Sequence, residues 1–203
     1  MRSLSEIETV SKRASKAAGF SWGVSEEIGK GVRLLELFGL PGIQTLNQYF
    51  VSKKKKEYEN LKAINIVNET NQLELCPISV GLIFLDKIKT LEKTSNFRFQ
   101  NIAYPLLLLP FLSRGSEIIG KKILFRFDDN EFILNFNICI LYNSLNKNFN
   151  LNAKIIDVSF LDNKDNFNDL DWKNLYKFSE ETFVEETDIL KNEAAGAGVT
   201  DND

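Results

Sequence analysis

The chain has 203 residues, of which 43% are hydrophobic and 26% are charged, a composition typical of a soluble globular protein that buries its own core. Its formal net charge of −3 argues against binding to nucleic acid or to an anionic membrane. Because the sequence contains no histidine, it lacks the usual general base near neutral pH, the commonest metal ligand and every Ser-His or Cys-His nucleophile pair.

The N-terminal third is predicted to be helical. Its apolar residues recur at helical spacing, first at Leu4, Ile7, Val10 and Ala14 and later at Ile28, Val32, Leu35 and Phe38. Ser3 and Glu6 have the spacing of a capping box, which predicts a first helix over 4–18. A second and a third helix are expected before about residue 62, and the third is expected to run from about residue 42 to about residue 61. The helical subregion therefore covers about 1–62.

The next residues change from helical periodicity to alternation. A helix is predicted over 78–92, and Phe97 and Phe99 alternate with polar residues as in a strand of mixed exposure. Residues 104–112, Y-P-L-L-L-L-P-F-L, contain two prolines and are predicted to form a buried connection. This run is shorter than the roughly 20 apolar residues of a membrane span, so no membrane segment is expected.

The clearest evidence for β-structure lies around a predicted turn at 128–131. Two strands flank this turn, and the second carries apolar residues on one face at Phe132, Leu134, Phe136, Ile138, Ile140 and Tyr142. A further strand is predicted at 156–160 and a helix at about 170–178. The predicted fold is α+β, a single domain over 1–203 in which a helical N-terminal part packs on an antiparallel sheet within an α+β body of about 63–203, with a C-terminal helix and a docked Gly-rich tail.

The cysteines and the N-terminus bear on chemistry and localisation. Cys76 and Cys139 form neither a CxxC motif nor a zinc ligand set, so neither a metal nor a cofactor is expected. Cys76 is interpreted as a buried, inert thiol, because a nucleophile would need a neighbouring group that lowers its pKa. The first residues, M-R-S-L-S-E-I-E, lack the apolar core of a secretion signal, so a cytoplasmic protein with reduced thiols is expected.

Two charged segments each have a structural and a functional interpretation. Trp22, Glu26 and Glu27 stand at a predicted helix start, where acids complement the helix dipole, and they are also candidates for a binding site. The lysines at 53–56 are interpreted as a solvated helix end, because neighbouring glutamates dilute their charge and no aromatic residues interleave with them. Neither segment is a complete catalytic motif.

The end of the chain, A-A-G-A-G-V-T-D-N-D, is unlike a disordered tail, because its alanines and valine are spaced through glycines. The N–H groups around Gly196 and Gly198 could form an anion-binding nest, and Asp201 and Asp203 could hold a cation or a substrate amine. Structural docking of the tail and a binding site built from it are both open. The tail is expected to dock in either case.

Several stretches carry a resemblance to one family. They are S-L-S-E-I-E, A-S-K-A-A-G-F-S-W-G-V-S-E-E-I-G-K-G-V-R-L-L, G-L-P-G, L-C-P-I-S-V-G-L-I-F-L-D, Y-P-L-L-L-L-P-F and A-G-A-G-V-T-D-N-D. Together they resemble a bacterial family described as domain of unknown function 3726, a resemblance that implies no particular activity. It does imply that the tail belongs to a characteristic segment. Glu181 and Lys191 stand where that segment has arginine, so this chain lacks the bidentate groups with which arginine holds an anion.

Two functions agree with these observations. The leading hypothesis is a cytoplasmic accessory or binding protein associated with small-molecule metabolism, which interacts with a protein partner, a second copy of itself or a small-molecule ligand. The alternative is a small-molecule enzyme without histidine that uses the carboxylates of Asp201 and Asp203, with Glu26 or Glu27 beside them and Trp22 as a pocket wall. Binding to nucleic acid is not expected.

Overall fold

The computed structural model describes residues 2–70, 72–94, 96–135, 139–143, 149–162 and 164–182. The chain divides into two compact units, residues 1–163 and residues 164–203. Within the described ranges, the first unit carries five α-helices and a six-stranded sheet, and the second carries one α-helix. The α+β class predicted from the sequence is confirmed, whereas the assignment to a single domain stays a prediction.

Three helices open the chain, α1 at Leu4–Ala17, α2 at Trp22–Leu37 and α3 at Gly42–Lys53. The side chains of Ser3 and Ser21 cap the first two by accepting backbone N–H bonds, and the cap at Ser3 is the one that the sequence predicts. The prediction that α3 continues to about residue 61 is wrong. The backbone of Glu59 instead bonds to Glu74 and Cys76, at 2.9 and 2.8 Å, which the helical conformation would prevent.

Helices α1 and α2 pack closely against each other. The buried residues of α1 are Ser11 and Ser15, and Val10 is 59% exposed, so the predicted apolar face is wrong in detail. A Cβ at Gly29 of α2 would lie 2.8 Å from the backbone oxygen of Glu8. The two backbones are so close at this interface that only small side chains fit between them.

Six strands form one mixed sheet in the order β1-β2-β6-β3-β4-β5. Their bounds are β1 Val67–Asn68, β2 Asn96–Ala103, β3 Lys122–Phe127, β4 Asn130–Asn135, β5 Cys139–Tyr142 and β6 Asn152–Leu161. Strand β1 runs parallel to β2, and the remaining neighbours are antiparallel. The predicted antiparallel sheet thus has one short parallel strand at its edge.

Two details of the sheet differ from the alternation in the sequence. The long strand expected after the turn is two strands, β4 and β5, which pair with each other; residues 136–138 lie outside the described residues. In β2, Asn101 has a φ of 54°, in the left-handed region that asparagine tolerates. Before Asn101 the odd-numbered residues Phe97 and Phe99 point inward. After it the even-numbered Ile102 points inward and is fully buried.

Two further helices, α4 at Pro77–Leu91 and α5 at Leu109–Ile119, complete the first unit. The prediction for α4 is confirmed. Residues 104–112 are buried as expected, but they form a 3-10 turn at Pro105–Leu107 and the start of α5. Pro110 is compatible with α5 because it lies in the first turn, where the helix does not need its N–H group.

Helix α5 connects the N-terminal helices with the sheet, since it contacts α2 as well as β3 and β4. Strands β3 and β4 turn alternate residues toward the interior. The largest fully buried side chains include Tyr49, Phe84, Phe99, Phe125, Phe127 and Phe132. This arrangement places one side of α2 and one side of α5 next to each other at the surface.

The second unit contains α6 at Asp169–Glu180, which confirms the predicted C-terminal helix. The Gly-rich tail lies outside the described residues. Among the described helices, none has the length and apolar content needed to cross a membrane.

Candidate functional site

An open groove of about 410 Å³ runs where α2 faces α5, with residues of α1 and α4 at its edges. Small-molecule sites in proteins typically have volumes of roughly 300–1,000 Å³, so the groove is large enough for a small ligand. Its apolar lining residues are Leu34, Leu37, Leu85, Pro110 and Phe111, and its charged lining residues are Glu8, Glu27, Lys30, Arg33 and Arg114.

Helical spacing aligns one wall of the groove on α2. That wall includes Glu27, Lys30, Gly31, Leu34 and Leu37, each of which lies three or four residues from at least one other member. Gly31 allows α5 to come close, because a Cβ at this position would lie 3.1 Å from Cβ of Pro110. The two helices therefore meet at the base of the groove, and their longer side chains form its rim.

Each cation of the groove is paired with a carboxylate of the same chain. The pairs are Arg33–Glu8 at 3.1 Å, Lys30–Glu27 at 3.1 Å and Arg114–Glu117 at 2.7 Å. The three cationic side chains are 50–53% exposed, so each pair contributes at most about 1 kcal/mol to stability. A ligand anion with additional apolar contacts can therefore displace an internal carboxylate.

Lys30 at the rim of the groove and Glu26 beside it carry fixed charges. The hydrogen bond to Glu27 raises the pKa of Lys30 above its usual value, so Lys30 stays protonated near neutral pH. The hydrogen bond from Lys30, with a further contribution from Lys12, lowers the pKa of Glu26. Both groups are therefore charged near neutral pH.

The structure places the predicted site residues in different surroundings. Glu27 lines the groove. Glu26 lies outside it and forms ion pairs with Lys12 at 3.5 Å and Lys30 at 3.4 Å. Trp22 is 58% exposed, with Nζ of Lys16 5.5 Å from its ring centroid. The remaining candidates lie outside the described residues, namely Gly196, Gly198, Asp201 and Asp203.

Sequence reasoning missed most of the groove. Leu34 and Leu37 lie beside the buried face of α2, and their positions could have suggested a second apolar stripe. Pro110 and Phe111 were assigned to a connection, so no second wall was expected. The spacing of Phe111 and Arg114, three residues apart, becomes informative only once they are placed on a helix.

The lysine segment is engaged within the chain. Lys56 bonds to Glu74 and lies over the ring of Tyr58, with Nζ 5.2 Å from the centroid. Lys53 lies over the ring of Phe20 at 5.3 Å. These contacts favour the structural interpretation of the segment. Within the described part of the chain, no group of three or more Cys, Asp or Glu side chains could hold a metal ion.

A buried polar pair joins α3 to the start of α4. The hydroxyl of Tyr49 lies 3.2 Å from Sγ of Cys76, and both side chains are buried. Sγ of Cys76 also accepts a bond from the N–H of Ser79 at 3.5 Å, so this thiol caps α4. This supports the interpretation of Cys76 as a structural residue.

This pair predicts a dependence of stability on alkaline pH. Burial raises the pKa of Tyr49 above its unfolded value of about 10, with a further contribution from Cys76. The contribution of Tyr49 to the free energy of unfolding is therefore fully present below about pH 10. Above about pH 10 it decreases, by up to about 1.4 kcal/mol per pH unit for one proton. We expect Tyr49→Phe to reduce this slope in urea unfolding at pH 8 and pH 10.5. Equal slopes in both proteins would contradict the assignment.

Comparison with known proteins gives one match. The sequence profile of the family described as "Protein of unknown function (DUF3726)" matches residues 2–76, which cover α1 to α3 and the residues up to the start of α4. No curated protein and no solved structure matches the chain. The resemblance found in the sequence is thus confirmed over the N-terminal part. Residues 2–76 of the chain are therefore similar to the DUF3726 family of proteins of unknown function.

Proposed function

We propose that the chain is a binding protein that holds a small amphipathic anion, with an apolar body and a carboxylate, in the groove between α2 and α5. The observation that carries this proposal is the combination of an apolar wall with three exchangeable cations around one groove of suitable volume. In this role the protein is an accessory to small-molecule metabolism.

The apolar side of the groove suits the body of such a ligand. Leu37 of α2 is 56% exposed, although it is a large aliphatic side chain, and Phe111 of α5 also lines the groove. Covering apolar surface stabilises a complex by roughly 25 cal/mol per Å². A linear or aromatic carbon chain would supply this cover.

The charged side favours an anion over a cation. Lys30 and Arg33 approach from α2 and Arg114 from α5, whereas Glu8 and Glu27 are the acids among the lining residues. Arginine binds a carboxylate in a bidentate manner, which fixes its orientation. Because the internal ion pairs are weak, the ligand carboxylate can take the place of Glu8 beside Arg33 or of Glu117 beside Arg114. The site therefore does not need cations that are unpaired in the free protein.

Binding without catalysis agrees with the chemistry of the rim. Lys30 is kept charged by Glu27, and Glu26, which pairs with Lys30 from outside the groove, has a lowered pKa and stays ionised. The enzyme alternative depends on Asp201 and Asp203, which lie outside the described residues, and no contact of the described residues favours it.

The test is a titration with octanoate, with octylamine and octanol as probes of the same chain length. We expect octanoate to bind and to raise the unfolding temperature, and the two other probes to bind much more weakly. Arg114→Ala should weaken octanoate binding about tenfold, equivalent to about 1.4 kcal/mol, because the ligand loses one charged hydrogen bond.

Arg126→Ala is the matched control. Arg126 is 53% exposed, as Arg114 is, and also pairs with one nearby carboxylate, that of Glu131 at 2.6 Å, but it lies on β3 and does not line the groove. Its replacement should leave octanoate binding unchanged. Octylamine binding as strong as that of octanoate, or equal effects of the two arginine variants, would refute the proposed site.

A further inference from the structure

Helix α6 exposes an apolar face. Trp172, Leu175 and Tyr176 share one side by three- and four-residue spacing, and Phe178 continues it three residues after Leu175. These four side chains are 53–67% exposed, and none of the twelve residues of α6 is buried. A contiguous apolar surface of this kind on a soluble unit marks an interaction site.

Local contacts support the helix that carries this face. Asn168 caps the helix by accepting the N–H of Asp171 at 2.8 Å. The ring of Phe167 stacks on Trp172 with centroids 5.5 Å apart, so the first turn presents a fixed aromatic surface. Aromatic residues on a formed helix are favourable anchors, because little conformational entropy is lost when they are covered.

Charge identifies the kind of partner. Residues 164–182 carry five acidic residues and three lysines, a net charge of −2. Acidic side chains flank the apolar face at both ends, with Asp169 and Asp171 at its start and Glu180 and Glu181 at its end. The side of α6 away from the apolar face carries Lys173 and Lys177.

This pattern favours a protein over a membrane. Helices that lie on anionic membranes carry a polar face rich in Lys and Arg, whereas the flanks of α6 are acidic and would be repelled. We propose that α6 docks by its apolar face into an apolar groove of another protein, and that Lys and Arg side chains of that protein surround the groove and pair with the acidic flanks. This inference is independent of the octanoate site.

The experiment uses the full chain with a photo-crosslinking amino acid at position 176, on the apolar face, or at position 173, on the charged face. We expect a discrete product with another protein from position 176 only, after irradiation in native cells. The crosslinked protein is then purified and titrated with the full chain. Its affinity should fall as salt rises from 50 to 500 mM, because the acidic flanks contribute to binding.

Two alanine variants separate the two sides of the helix. Leu175→Ala should weaken binding of the purified partner at least tenfold, and the matched Lys177→Ala should weaken it less than twofold. Because both residues are exposed, both variants should keep the helicity of the chain. Four results would overturn the proposal: no crosslink from position 176, equal crosslinks from both positions, a product that is a second copy of this chain, or Leu175-dependent binding to vesicles of phosphatidylcholine and phosphatidylglycerol.

Discussion

Replacing Gly81 by Ala should lower the free energy of unfolding by about 2 kcal/mol, the opposite of the usual effect in a helix. In α4, a Cβ at this position would lie 2.4 Å from Cγ and 2.8 Å from Cβ of Phe111 in α5. These atoms belong to the base of a rigid ring, so relief requires movement of α5 itself. The clash outweighs the gain of about 1 kcal/mol that alanine normally gives in a helix interior.

Gly23→Ala is the control for Gly81→Ala. Gly23 lies in α2, and a Cβ there would meet no atom within 4 Å. This variant should gain about 0.5 kcal/mol in urea unfolding. The double variant Gly81→Ala with Phe111→Leu should recover part of the loss, because the smaller side chain leaves room for the new methyl group. A stabilising Gly81→Ala would show that α4 and α5 are further apart than described.

The same contact links stability to the proposed site. Phe111 is pressed against Gly81 on one side and lines the groove on the other. A shift of Phe111 in Gly81→Ala should therefore weaken octanoate binding as well, whereas Gly23→Ala should leave it unchanged. The backbone approach of α4 and α5 thus sets the shape of the apolar wall.

Local signals in the sequence predicted the elements whose ends are determined locally. The capping residue Ser3 marked the start of α1, and Pro77 occupies the first helical position of α4. The hairpin of β3 and β4 followed from alternation on both sides of a turn, in which Asp128 adopts a φ of 49°. Each of these features is decided by neighbours in the chain.

Other features depend on distant contacts and could not be predicted. Two prolines argued against a helix in residues 104–112, yet α5 begins at Leu109, after Tyr104 with its φ of 47° and the 3-10 turn that follows it. Asn101 reverses the alternation of β2 through its own left-handed conformation. The groove needs α5 beside α2, so its residues could not be grouped while α5 was predicted to be a connection.

Replacing Phe132 by Ala should have the largest effect on stability, a loss of about 3–5 kcal/mol. Phe132 is fully buried in β4, and its ring centroid lies 5.8 Å from that of Phe125 and 5.7 Å from that of Phe127. These rings pack across β3 and β4, where Phe125 and Phe132 are direct partners. Removal of one ring leaves a cavity that two strands held by their backbone bonds cannot close.

Ile133→Ala tests whether this loss reflects the inward face of the sheet. Ile133 is the next residue of β4 and points to the other face, where it is only partly buried. Ile133→Ala should lower the free energy of unfolding, measured with urea, by less than half as much as Phe132→Ala. The slope of this free energy against urea concentration should be the same in both variants. Small domains have free energies of unfolding of about 5–15 kcal/mol. At the lower end of this range, a loss of about 3–5 kcal/mol would leave the Phe132 variant partly unfolded without denaturant. Equal losses in the two variants would mean that the sheet is buried on both faces, and the aromatic cluster would then not be the main source of its stability.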